Sequence, residues 1–109
     1  MIKICYCPAK SIKVVDHADN KLVCCAVSTI MYTIPAWFHQ NEIEFKVDEK
    51  TTTIQINLLE ANNETISLLN LAYLQLQVLA DSYPKDIKLT VDESSYKPSK
   101  KQDNRSVKN

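Results

Sequence analysis

At 109 residues, with 45% hydrophobic and 24% charged content, the chain has the composition of an ordinary soluble globular domain and too little length for a second core. Its 13 basic and 13 acidic residues cancel, but five basic residues (Lys97, Lys100, Lys101, Arg105 and Lys108) and one acid (Asp103) fall in residues 94–109, leaving 8 basic and 12 acidic groups in residues 1–93. An acidic body argues against a general nucleic-acid binder, and no apolar run approaches the roughly 20 residues of a membrane span.

Ile2, Ile4 and Tyr6 alternate with Lys3, Cys5 and Cys7, the period of a half-buried strand. Pro8-Ala9-Lys10-Ser11 breaks it. A second strand puts Ile12, Val14 and Asp16 on one side and Lys13, Val15 and His17 on the other. From Lys21 the period changes: Val23, Val27, Ile30, Ile34 and Phe38 form one stripe of a helix. Asp19 or Asn20 is placed to cap it, and Pro35 should kink it or end it early. Two more strands follow, over Ile43, Phe45 and Val47 and over Ile54, Ile56 and Leu58, joined by the polar turn Asp48-Glu49-Lys50-Thr51. Asn62 or Asn63 caps a second helix with the stripe Ile66, Leu69, Tyr73, Leu76, Ala80 and Tyr83, which Pro84 stops. Leu68, Leu71, Leu74 and Val78 widen its apolar surface. A last strand carries Ile87, Leu89 and Val91. Glycine is absent, so turns fall to Asn, Asp, Pro and Lys, and left-handed hinges should be scarce.

The predicted fold is therefore α+β, in the order β-β-α-β-β-α-β, a mostly antiparallel sheet with two helices on one face. Residues 1–93 form the single domain, and 94–109 a basic, disordered tail. Extra width on the second helix, or the uncovered sheet face, leaves apolar area for a partner, most economically a second copy. The N-terminus enters an alternating pattern directly rather than a signal peptide, so a cytoplasmic location with reduced thiols is expected.

The chemistry concentrates in Asp16 to Ser28. A histidine ends the second strand, a few polar residues turn the chain, and Cys24 lies in the first turn of the helix. Helix-terminal amides and the dipole favour thiolate there, and a neighbouring imidazole can deprotonate the thiol and later protonate a leaving group. Ser28, four residues on, shares the helix face of Cys24. A cysteine in an apolar helix is ordinarily core and a lone histidine near a turn ordinarily solvated; their joint placement points to catalysis. Cys25 is turned about 100° from Cys24 around the helix, and periodicity does not choose between the two. Neither Cys5/Cys7 nor Cys24/Cys25 has the spacing of a zinc or redox motif, so no metal and no cofactor are expected.

The run Leu22-Val23-Cys24-Cys25-Ala26-Val27-Ser28, after Asp16-His17-Ala18, resembles the signature of the ribosomal-processing cysteine proteases: Gly-His-Ala, a loop, then Asp-Ile-Val-Cys-Ala-Ala-Val-Ser. The resemblance continues through both helices to Leu79-Ala80-Asp81-Ser82-Tyr83-Pro84-Lys85-Asp86-Ile87-Lys88-Leu89. It implies Cys24 as nucleophile, His17 as base and acid, and Ser28 as a supporting serine, in a homodimeric endopeptidase. The implied reaction is removal of an N-terminal extension from a large-subunit ribosomal protein, with the cut after an aromatic residue. The family's first glycine is Asp16 here, its aspartate before the cysteine is Lys21 with Asp19 as the available substitute, and only six residues separate His17 from Cys24. The competing reading is a catalytically inactive, dimeric ribosome-associated module of the same fold. The basic tail is a further candidate for a ribosome or RNA contact by counterion release.

Overall fold

The computed structural model describes residues 1–93; the segment 94–109, expected as a tail, lies outside the described residues. Five strands and two helices follow in order: β1 (Ile2–Cys7), β2 (Ser11–Val15), α1 (Lys21–Thr33), β3 (Ile43–Asp48), β4 (Thr53–Leu58), α2 (Asn63–Ser82) and β5 (Ile87–Val91). The strands form one sheet in the order β3-β4-β2-β1-β5. Every neighbouring pair is antiparallel except β1 with β5, which is parallel. A parallel neighbour requires a crossover, and the long α2 supplies the return path before β5.

Register explains why one sheet face is apolar. Ile4 pairs with Val14 and Leu89, Tyr6 with Ile12, and Ile12 with Ile56, so period-two alternation stacks the aliphatic residues of all the inner strands on one side. Both helices cover that side. Val23, Val27 and Met31 of α1 and Leu69, Ala72, Leu76 and Ala80 of α2 join the sheet residues in one buried cluster. Tyr6 stacks on Tyr73 with ring centroids 4.3 Å apart, tying β1 to α2. The opposite face carries Lys3, Lys13, Gln55, Asn57 and Lys88 and lacks a covering layer among the described residues. The spare apolar area is thus on α2, where Leu71, Leu74 and Val78 are exposed, and not on the open sheet face.

Three local details differ from the periodicity. β2 ends at Val15, and Asp16 leaves the strand with φ of 75°. α1 ends at Thr33, and Ile34–Trp37 tighten into a 3₁₀ turn around Pro35, which has no amide to continue the α-helical ladder. In α1 it is Met31, not Ile30, that is fully buried. The caps resolve as Asn20 for α1, whose side chain accepts from the Leu22 amide, and Asn62 for α2, in a reciprocal box with Thr65. Left-handed backbone occurs at Ala9, Asp16 and Thr52. Two of these residues, Ala9 and Thr52, are of types not expected to take it. In the β1–β2 connection Pro8 fixes the first turn dihedral and the Lys10 amide donates to Cys7 O at 2.9 Å, so closure of the hairpin imposes the conformation on Ala9.

Candidate active site

The loop between β2 and α1 is built from an inward anchor between exposed residues. Asp16 turns the chain with its left-handed backbone, and its amide donates to Thr52 O at 3.0 Å, extending the β2–β4 ladder by one bond. The next residue, His17, is exposed; Ala18 then points back into the core and is buried. A family glycine at position 16 has a direct explanation here, since this backbone needs a residue that tolerates positive φ. Aspartate is among the few others that do.

Ala18 is also where the loop meets the helix. Its amide donates to Cys24 Sγ at 3.2 Å, and the thiol donates to Ala18 O at 3.1 Å. Cys24 itself begins the helical ladder, its amide donating to Asn20 O at 3.2 Å. The six-residue connector is therefore closed on the cysteine, which holds the backbone of His17 one residue before the sulfur's backbone partner. Val23 and Val27 bury one face of α1 and leave Cys24 half-buried at its edge, while Cys25 is turned to solvent.

A cavity of about 310 Å³ opens at this point. Its wall brings together His17, Cys24 and Ser28, the three residues singled out by spacing and resemblance. The floor is apolar, from Ile2, Val14, Val27 and Ile54. Tyr32 stands at one side, braced edge-on by Phe45 of β3 with centroids 5.6 Å apart. Three acidic residues, Asp16, Asp48 and Glu49, also line it. Asp19 is exposed and stands outside that wall; Asn20 takes the cap. Tyr32, four residues beyond Ser28 on the same face of α1, could have been found from helical spacing; Asp48, Glu49 and Thr52 could not, because the β3–β4 turn reaches the site only through sheet pairing. Cys5, on the open face of the sheet, has a different environment: burial pushes its thiol above the ordinary value, and neighbouring Cys7 and Asp92 add to the effect.

A half-buried thiol in the first turn of a helix shares an apolar-floored cavity with an imidazole and a hydroxyl, the kinds of group that cysteine hydrolysis uses. The family model described as "Cysteine protease Prp" matches residues 1–88, and the chain belongs to that family of cysteine peptidases. Among its relatives, the ribosomal processing cysteine protease Prp of Mycoplasma genitalium is 30% identical over 88 residues, covering 81% of this chain and 87% of the relative. The protein of the same description from Mycoplasma pneumoniae is 33% identical over 66 residues, covering 61% and 66%. The crystal structure of the S. aureus ribosomal processing protease Prp with a covalently linked product peptide has the same fold, with TM-score 0.72, 17% identity, and coverage of 84% of this chain and 100% of that one. Among the described residues no helix is long and apolar enough to cross a membrane.

Proposed function

We propose that this peptidase removes an N-terminal extension from a large-subunit ribosomal protein, with Cys24 as nucleophile, His17 as base and acid, and Ser28 as a supporting hydroxyl. The observation that carries the reading is the shared wall: these three residues line one cavity, and Cys24 occupies the first turn of α1. His17 takes the thiol proton, and Sγ attacks the scissile carbonyl carbon to form a carbon–sulfur bond. The resulting oxyanion collapses and the amide C–N bond breaks, with His17 returning the proton to the departing amine. Water then attacks the thioester, gives its proton to His17, and releases the carboxylate as the thiol reforms. Ser28 is positioned to hydrogen-bond a substrate backbone along the same face. Asp19, outside the wall, contributes only long-range charge to the loop.

The apolar floor suits an aromatic side chain before the cut. The chain acts in the cytoplasm as a homodimer through the exposed stripe of α2, and the basic residues 94–109 add salt-dependent attraction to the ribosome. The test is cleavage of a peptide spanning the N-terminal extension of the same organism's ribosomal protein by wild type, Cys24→Ala and Cys25→Ala. Cutting lost only in Cys24→Ala is the expected result. No cutting by folded wild type, or cutting by Cys24→Ala, overturns the assignment.

A further inference from the structure

On the face of the sheet remote from the cavity, the β1 alternation that buries Ile4 and Tyr6 turns Cys5 and Cys7 outward together. The parallel register sets Cys5 beside Thr90, and the next row brings Cys7 to the point where the chain leaves β5. There the Asp92 amide donates to Tyr6 O at 2.8 Å, which carries the ladder past Val91 and holds Asp92 against the end of β1. One ligand atom from each of Cys5, Cys7 and Asp92 lies within 4.8 Å of the other two. We propose that these three side chains form a binding site for a thiophilic d¹⁰ dication, Zn²⁺ in the cell, separate from the Cys24 cavity.

The geometry is close to what such an ion needs. Zn–S bonds of about 2.3 Å and Zn–O bonds of about 2.1 Å in a tetrahedron separate ligand atoms by roughly 3.5–3.8 Å. Side-chain rotation of about an ångström closes the observed cluster onto that spacing. Two thiolates and a carboxylate supply a hard and soft donor set that zinc accepts, and the open sheet face leaves the fourth position to water. Direct oxidation of the pair is the poorer use of these thiols. Residues i and i+2 of a strand are about 6.6 Å apart at Cα, near the upper limit of disulfide geometry at roughly 6.8 Å. A Cys-x-Cys spacing alone does not signal zinc. The third donor comes from the far end of the domain and is brought in by strand pairing. Bound metal would clip the edge strand β5 to β1.

The site can be tested in the full chain carrying Cys24→Ser and Cys25→Ser, which leaves Cys5 and Cys7 as its only thiols. Anaerobic titration of the apoprotein with Cd²⁺ should raise a thiolate-to-metal charge-transfer band that saturates at one equivalent and is displaced by Zn²⁺. Cys5→Ser and Cys7→Ser should each remove the band. Asp92→Asn, isosteric and exposed, should weaken affinity at least about tenfold. No band, a band that survives loss of either thiol, or unchanged affinity in Asp92→Asn overturns the proposal.

Discussion

Cys24 and Ala18 hold each other by two hydrogen bonds, the Ala18 amide donating to Sγ at 3.2 Å and the thiol donating to Ala18 O at 3.1 Å. Cys24, the proposed nucleophile, therefore also closes the loop that carries His17. When the thiol ionises, the bond to the carbonyl is lost and the amide remains as a donor to the anion, a charge-assisted bond that is the stronger kind. Truncation leaves both peptide groups of a buried residue without that partner. Cys24→Ala should cost about 1–3 kcal/mol of stability, whereas Cys24→Ser should cost less because its hydroxyl can serve both groups. Both variants should lose at least about a thousandfold in kcat/KM. Urea melts of the two variants beside the wild type check this; equal stability would mean that the sulfur does not hold the loop.

The left-handed residues give a second prediction. Ala9 and Asp16 sit at φ of 63° and 75°, where a β-carbon is penalised by about 1–2 kcal/mol and aspartate by less than alanine. Ala9→Gly should stabilise the domain by about 1 kcal/mol. Asp16→Gly should gain less, and it also removes the Lys3–Asp16 ion pair, which at 3.9 Å between well-exposed groups contributes little. Chemical denaturation midpoints in that order are the expected outcome.

Helix stripes, strand alternation and caps are local signals in this sequence, and strand pairing is not. The buried stripes of both helices, the alternation in β1, β2 and β4, and a cap at Asn62 or Asn63 depend on neighbours within a turn, so Val23, Val27, Leu69 and Leu76 were legible as core. Pairing is not local. The parallel β1–β5 contact brings Asp92 to Cys7, and the β2–β4 contact brings Thr52 and the acidic turn to Cys24; neither leaves a trace in spacing. The pair His17 and Cys24 could be read because one short connector joins them. The choice of Cys24 over Cys25 came from resemblance, and the structure places Cys24 on the cavity and turns Cys25 to solvent.

The exposed stripe of α2 can be tested as a self-association surface. Leu71, Leu74 and Val78 follow one another at intervals of three and four, and are 46%, 45% and 65% exposed. Such a row of aliphatic side chains on one helix face is the pattern by which helices pair. Val78→Glu removes no core contact, so the folded monomer should be unchanged in thermal stability while the dimer dissociates. Sedimentation velocity should show the wild type as a dimer and Val78→Glu as a monomer. A monomeric wild type would assign the stripe to another role.

Substrate charge is the last test, and it follows from the rim of the cavity. Asp16, Asp48 and Glu49 line it above the apolar floor of Ile2, Val14, Val27 and Ile54. Asp16 already faces Lys3, which leaves the two carboxylates of the β3–β4 turn to set the potential felt by a bound peptide. A lysine or arginine flanking an aromatic residue at the cut should be preferred over glutamate. At the effective dielectric of a protein surface each carboxylate is worth about 1 kcal/mol, or roughly fivefold. Asp48→Asn and Glu49→Gln should each lower kcat/KM for a basic peptide by about that factor and leave a neutral peptide nearly unaffected. Raising the salt concentration should shrink the difference, because the Debye length falls to about 3 Å at 1 M. Equal turnover of basic and acidic peptides at low salt would show that the rim carboxylates do not reach the substrate, and that the apolar floor alone selects it.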